Sequence, residues 1–255
     1  MLIFTSKTPT KSRPSGLVDI DRSSSLATGL LFASQLAGPT TPYNAATHEP
    51  MTFVGSPSVP SGVAPEPNAL YGSSFSRGAA QCLMGGWAPA QWTFSTWARL
   101  GAPSELFTAG YNDEEKIDVS AGGVVTGKIR LGAGNYLNPT GPSSLSWNVP
   151  YHIVMRYDRV NASIWINGVS GTPVAGTLVT DWGYSTDTFS FPGSYLTGYQ
   201  WGGMLHGRAL SDAEIRALYD AGTSWSLYRA SESRTYFNVA AAGGATFVPR
   251  VMMVM

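Results

Sequence analysis

One cysteine, Cys82, in 255 residues excludes a disulfide within the chain, so burial rather than cross-linking must hold the fold together. Charge is scarce as well: 13% of residues are charged, and 16 basic residues balance 16 acidic ones. With no net field to gather a polyanion, neither nucleic acid nor an anionic membrane is an expected partner. No apolar run reaches the roughly 18 residues that a membrane-crossing helix needs. The opening MLIFTSKTPTKSR turns polar after Leu2, Ile3 and Phe4, too short a stretch for the core of a secretory signal. Synthesis in the cytoplasm without membrane insertion is the expectation.

The common signatures of site chemistry are missing too. His48, His152 and His206 lie far apart, and neither H-x-x-x-H nor C-x-x-C spacing is present to hold zinc. Gly168-Val169-Ser170-Gly171 has the wrong spacing for a nucleophile elbow, and there is no phosphate-cradling loop. Retaining glycoside hydrolysis needs two carboxyls about 5 Å apart on one surface. The one dense acidic run is Asp113, Glu114, Glu115 and Asp118. Strand alternation places Asp113, Glu115 and Ile117 on one face and Glu114, Lys116 and Asp118 on the other, so neither face carries an acid triplet. No catalytic residue is assigned, and the chain is not read as an enzyme. Asp113, Glu115 and Asp118 offer the oxygen ligands of a calcium site, but Lys116 sits among them and a solvated hairpin tip is the plainer reading. No other cofactor is expected.

What the chain has in abundance is turns. Glycine at 29 and proline at 17 residues exceed ordinary usage, as many tight connections between short strands require. In HIVMRYD, Ile153, Met155 and Tyr157 face one way while His152, Arg156 and Asp158 face the other, predicting a strand with one wet face. Ile164 and Ile166 repeat the pattern after a turn at Arg159 to Asn161, and Asn167-Gly168 supplies the positive-φ pair of a tight hairpin. In WTFSTWARL, Trp92, Phe94, Thr96, Ala98 and Leu100 share one face while Thr93, Ser95, Trp97 and Arg99 share the other. A tryptophan on each face predicts a central strand covered on both sides. Ser211 and Glu214 have the spacing of a capping box, and Ile215, Leu218 and Tyr219 form an apolar stripe on one short helix expected to end at Gly222. His152 and His206 read as ordinary polar residues at strand edges.

Arg208-Ala209-Leu210-Ser211 leading to Glu214-Ile215, preceded by a glycine-led strand, resembles the final strand and helix of laminin-G-like and concanavalin A-like (pentraxin-like) jelly rolls. WTFSTWARL resembles the early core strand of those domains, and Trp147 to Val169 their characteristic hairpin. The three segments cover about the middle half of the chain in the expected order. The resemblance implies an all-β sandwich of two antiparallel sheets with one short helix. The acidic pair that usually follows the leading glycine is absent, since Gly198 precedes Tyr199, Gln200 and Trp201.

The leader DRSSSLATGLLFA and the tract from Ser224 to Tyr228 resemble segments of phage and prophage proteins that carry such a domain. The expected organisation is an extended arm over residues 1–25, one sandwich over 26–222, and an extension over 223–255. The first buried strand is expected within Leu26 to Leu36, a long surface loop over residues 38–72, and a short strand at Met51 to Val54. Phe247, Val248, Val251, Met252, Met253 and Val254 make an almost uncharged apolar end, which in water calls for burial against a neighbour. The resulting expectation is a virion structural protein, a homo-oligomeric capsid decoration or cement protein docked on partners such as the major capsid protein. The alternative is a tail-associated or receptor-binding lectin module for host glycans, with Asp181, Trp182, Tyr184, Tyr199 and Trp201 as the carbohydrate-binding candidates. For Trp182 and Trp201, packing between the sheets is the plainer reading.

Overall fold

The structure, a computed structural model, describes residues 18–35, 43–46, 49–50, 52–53, 70–72, 80–83, 90–109, 115–132, 135–177, 188–190, 196–220 and 227–230. Asp113, Asp181, Trp182, Tyr184 and the apolar end at 247–254 lie outside them, as do the greater part of both terminal segments. No helix among the described residues is long and apolar enough to cross a membrane.

Two antiparallel sheets stack into a jelly-roll sandwich. The larger runs in the order Val169–Ser170, Asn161–Ile166, Pro150–Tyr157, Trp92–Leu100, Gly198–His206, Leu30–Gln35, Tyr43–Asn44 and Glu49–Pro50. The smaller runs Asn135–Leu137, Val124–Gly132, Glu115–Val119, Ser104–Ala109, Thr188–Ser190, Ala80–Leu83 and Thr52–Phe53. Strand neighbours far apart in sequence, such as Trp92–Leu100 beside Gly198–His206, are the crossovers that close the roll.

Alternation along Trp92–Leu100 decides what lies on each side. Trp92, Phe94, Ala98 and Leu100 enter the core between the sheets with Phe32, Leu106, Phe107, Ile117, Ile129, Ile153, Met155 and Ile164. Phe94 stacks on Phe107 of the opposite sheet at 4.4 Å between ring centroids. Gln200 ties the layers by hydrogen bonds, its Nε2 donating to Leu106 O at 2.8 Å and Thr96 Oγ1 at 3.2 Å. The predicted strand-turn-strand runs true: Ile153 pairs with Ile166 and Tyr157 with Ala162, and Asn167 (φ 51) and Gly168 (φ 75) turn the chain into Val169–Ser170.

The other face of the larger sheet is covered by the helix Asp212–Tyr219 and by residues 18–20 and 227–230. Ser211 accepts from the Glu214 backbone N–H, and Glu214 accepts from the Ser211 N–H at 2.9 Å, so the capping box forms as read. Ile215 and Leu218 bury against Val154, Trp165 and Met204, each side chain contributing about 1.5–3 kcal/mol. Residues 18–20, assigned from sequence to the arm, and residues 228–230, assigned to the extension, pair as an antiparallel ribbon that seats Ile20, Leu227 and Tyr228 in this second core.

Four sequence readings are corrected. His152 and His206 are not edge residues in contact with water: the first is 2% exposed, the second fully buried, and both sit on interior strands beneath covering chain. The helix stops at Tyr219, capped by Asp220 in an extended conformation, short of Gly222, which lies outside the described residues. The strand expected over Leu26 to Leu36 begins at Leu30, not Leu26, because residues 25–27 form a single 3-10 turn and Gly29 takes φ 70 before the ladder starts, and Val18–Ile20 precedes it as an earlier strand. Glu115 is buried rather than solvated at a hairpin tip.

Candidate functional site

The strand Gly198–His206 carries a bulge where its register to Trp92–Leu100 shifts between Trp201 and Met204, with Gly202 at φ 61. One extra residue there lets Trp201 and Met204 both point to the helix side, a role open to glycine because it adopts positive φ at little cost. Trp201 therefore lands beside Trp97, its register partner, and the two rings lie 6.2 Å apart and 12° from parallel.

The helix brings a third ring to this group. Tyr219 follows the buried Leu218 and stands at the border of the apolar stripe, 38% exposed. Its ring lies 5.9 Å from Trp97 and 25° from parallel. His152 closes the cluster, 5.2 Å from Trp97 and 6.3 Å from Tyr219. Burial depresses the His152 pKa to about 3, so the imidazole stays neutral, and its Nδ1 has no hydrogen-bond partner among the described residues.

Above these rings opens a cleft of about 590 Å³ lined by Trp97, Asn167, Gly168, Arg216, Tyr219 and Asp220. The turn and the helix meet there closely: a Cβ on Gly168 would lie 3.3 Å from Tyr219 Cδ1 and 3.5 Å from Arg216 Cγ. Asn167 is fixed by its neighbour, its Oδ1 accepting the His152 N–H at 2.9 Å and its own N–H donating to His152 O at 2.9 Å. That arrangement commits the carbonyl half of its side chain and leaves the amide N–H groups without an acceptor among the described residues.

The arginines around the helix divide into paired and unpaired. Arg208 grips Glu214 with two bonds of 2.9 and 2.6 Å, and Arg156 holds Asp212 at 2.7 Å. Arg216 lies 5.9 Å from the Trp165 ring centroid and meets no carboxylate among the described residues. The cleft thus presents aromatic faces, hydrogen-bond donors, one cation and one acid. Among the described residues its rim includes a single carboxylate, Asp220.

Of the sequence-assigned carbohydrate residues, Tyr199 and Trp201 occupy the face shared with Trp97. Trp201 is 3% exposed, so it supports the aromatic floor from beneath rather than forming the surface. Of the calcium candidates, Glu115 faces the core and Asp118 faces outward, 2.5 Å from Lys116, while Asp113 lies outside the described residues. No group of three or more metal-binding side chains occurs among the described residues. Sequence reasoning missed Trp97, Asn167, Arg216, Tyr219 and Asp220 as one site. The signal lay in Tyr219 at the stripe's edge and in Trp97 on the strand face opposite the core.

No protein-family profile matches the chain, and no curated protein matches its sequence. Solved structures do match in fold. The binding domain of botulinum neurotoxin DC, in complex with rat synaptotagmin II, superposes with a TM-score of 0.60 at 12% identity, over 76% of this chain and 52% of that one. The binding domain of Paraclostridial Mosquitocidal Protein 1 gives 0.60 at 13% identity, over 77% and 53%. Trypanosoma rangeli sialidase, in complex with 2,3-difluorosialic acid, gives 0.53 at 16% identity, over 75% and 32%. The chain spans about half the length of the first two and a third of the sialidase. The shared feature at these identities is the β-sandwich.

Proposed function

We propose that this sandwich is a non-catalytic recognition domain that binds a saccharide in the cleft between the Asn167-Gly168 turn and the helix. The observation that carries the reading is the near-parallel set of Trp97 and Tyr219 rings beside the Asn167 amide. Sugar C–H bonds present a slightly positive face to the negative face of an aromatic ring, and hydroxyls then find donors and acceptors at its edge. Asn167 supplies N–H donors. The single carboxylate that the described residues bring to the rim favours binding over hydrolysis. The neighbours' description as binding domains, one of them solved with SialylT, supports the same direction. A glycan array probed with the full chain and with Trp97→Ala tests it: saturable binding lost in the variant is expected, and binding indifferent to Trp97 would overturn it.

A second reading concerns where the domain is displayed. The phage-like leader and the apolar residues Phe247, Val248, Val251, Met252, Met253 and Val254 favour a virion component, a decoration or cement protein joined to the major capsid protein and to copies of itself through its ends. Host-surface glycan would then be the target of the cleft. Deleting residues 247–255 is expected to leave a folded sandwich that no longer joins particles. Normal incorporation of the truncated chain would count against this setting.

A further inference from the structure

We propose that the cleft selects a carboxylate-bearing saccharide, a uronic or nonulosonic acid unit, over its neutral counterparts. This rests on the saccharide reading above and names the chemical class of the ligand.

The helix and its surroundings contain three arginines that meet aromatic or acidic partners, and two of them are neutralised. Arg208 is held by Glu214 and Arg156 by Asp212. Arg216, one turn before the helix end, lines the cleft without a carboxylate partner among the described residues. Its guanidinium lies near the Trp165 ring and its stem against Gly168, contacts that restrict the side chain before any ligand arrives. A guanidinium is a planar fork of donors matched to the two oxygens of a carboxylate.

Asn167 adds a second donor on the adjoining turn. Its Oδ1 already accepts the His152 N–H, whereas its amide N–H groups have no acceptor among the described residues, so N–H is what it chiefly offers the cleft. A neutral sugar hydroxyl both donates and accepts and would use either group singly. A carboxylate accepts only, with two oxygens, and answers both donors at once.

Asp220 is the acid on the same rim, and its place decides whether it cancels the preference. It follows Arg216 by four residues, about 6 Å away between Cβ atoms along a helix face. A carboxylate seated on the far side of Arg216 stands farther still, near the screening length of about 8 Å at physiological salt.

The test is calorimetric titration of the full chain with matched pairs: a uronate oligosaccharide against its carboxyl-reduced form, and a sialylated oligosaccharide against its desialylated form. Within at least one pair the acidic member is expected to bind about fivefold more tightly, the scale of one exposed charge pair, and the pair that discriminates identifies the acid. The advantage shrinks as salt rises from about 50 to about 500 mM. Arg216→Gln removes it, so that the acidic and neutral members of that pair bind alike. Equal affinity within both pairs, with both members lost in Trp97→Ala, overturns the acid preference and leaves the saccharide reading standing. Failure of every oligosaccharide to bind overturns both.

Discussion

The indole rings of Trp97 and Trp201 face each other at 6.2 Å and 12° on register-paired strands, yet they have different work. Trp201 is 3% exposed and belongs to the packing, whereas Trp97 is half-buried and reaches the cleft. Trp201→Ala should therefore cost about 3–5 kcal/mol of stability, as large-to-small changes at buried aromatics do. Trp97→Ala should cost markedly less and instead abolish ligand binding. Denaturant melts of both variants beside their binding curves separate the two roles; equal destabilisation would place Trp97 in the core.

Local chemistry made part of this molecule readable in advance. The capping box, the Asn167-Gly168 turn and the alternation through Ile153, Met155 and Tyr157 are each set by residues within a few positions of one another. The covered face was not readable that way. Alternation marks His152 as facing away from the core between the sheets, but only the docking of Ile215 and Leu218, from a helix distant in sequence, makes that face dry. The cleft has the same origin, because it joins Trp97, Asn167 and Tyr219 from three separate elements. The bulge at Gly202 escaped notice because two glycines in a strand carry no periodic signal.

The turn that carries Asn167 offers a second prediction. Gly168 has φ 75, and a side chain there would press on Tyr219 and Arg216. Gly168→Ala should lower stability by about 1 kcal/mol through backbone strain and weaken binding by displacing the Tyr219 ring. A crystal structure of the variant with Tyr219 unmoved and affinity intact would contradict this.

Acid should loosen the fold in two stages. Burial lowers His152 to about 3 and His206 to about 4, the latter despite its hydrogen bond to Leu26 O. The unfolded chain protonates these groups near pH 6.5, so it binds more protons than the native state below that value. Stability is full above about pH 6.5 and falls as pH drops, by up to about 1.4 kcal/mol per pH unit for each histidine. Glu214, held down to about 2 by Arg208, adds a loss that begins near its usual value of 4.5. Denaturant midpoints between pH 7.5 and 4.5 should decline, and His206→Gln should reduce the slope by about half. A flat profile across that range would show the histidines to be solvated.

Removing the cap isolates the helix as the wall of the cleft. Ser211→Ala should cost about 1 kcal/mol, the usual worth of an N-cap side chain. Because the helix carries both Arg216 and Tyr219, fraying at its start should weaken ligand binding severalfold while the sandwich stays folded. Thermal melts and titrations of this variant check the coupling; unchanged affinity at reduced stability would break it.

The most direct measurement of the central claim is a titration of the ¹⁵N-labelled chain with neutral and acidic oligosaccharides, following its eight tryptophan indole N–H signals. The Trp97 signal should move saturably, while that of Trp165, buried and bonded to Ser163 Oγ at 3.0 Å, stays in place. Saturable shifts at other tryptophans with Trp97 unmoved would put recognition elsewhere on the molecule and contradict the account.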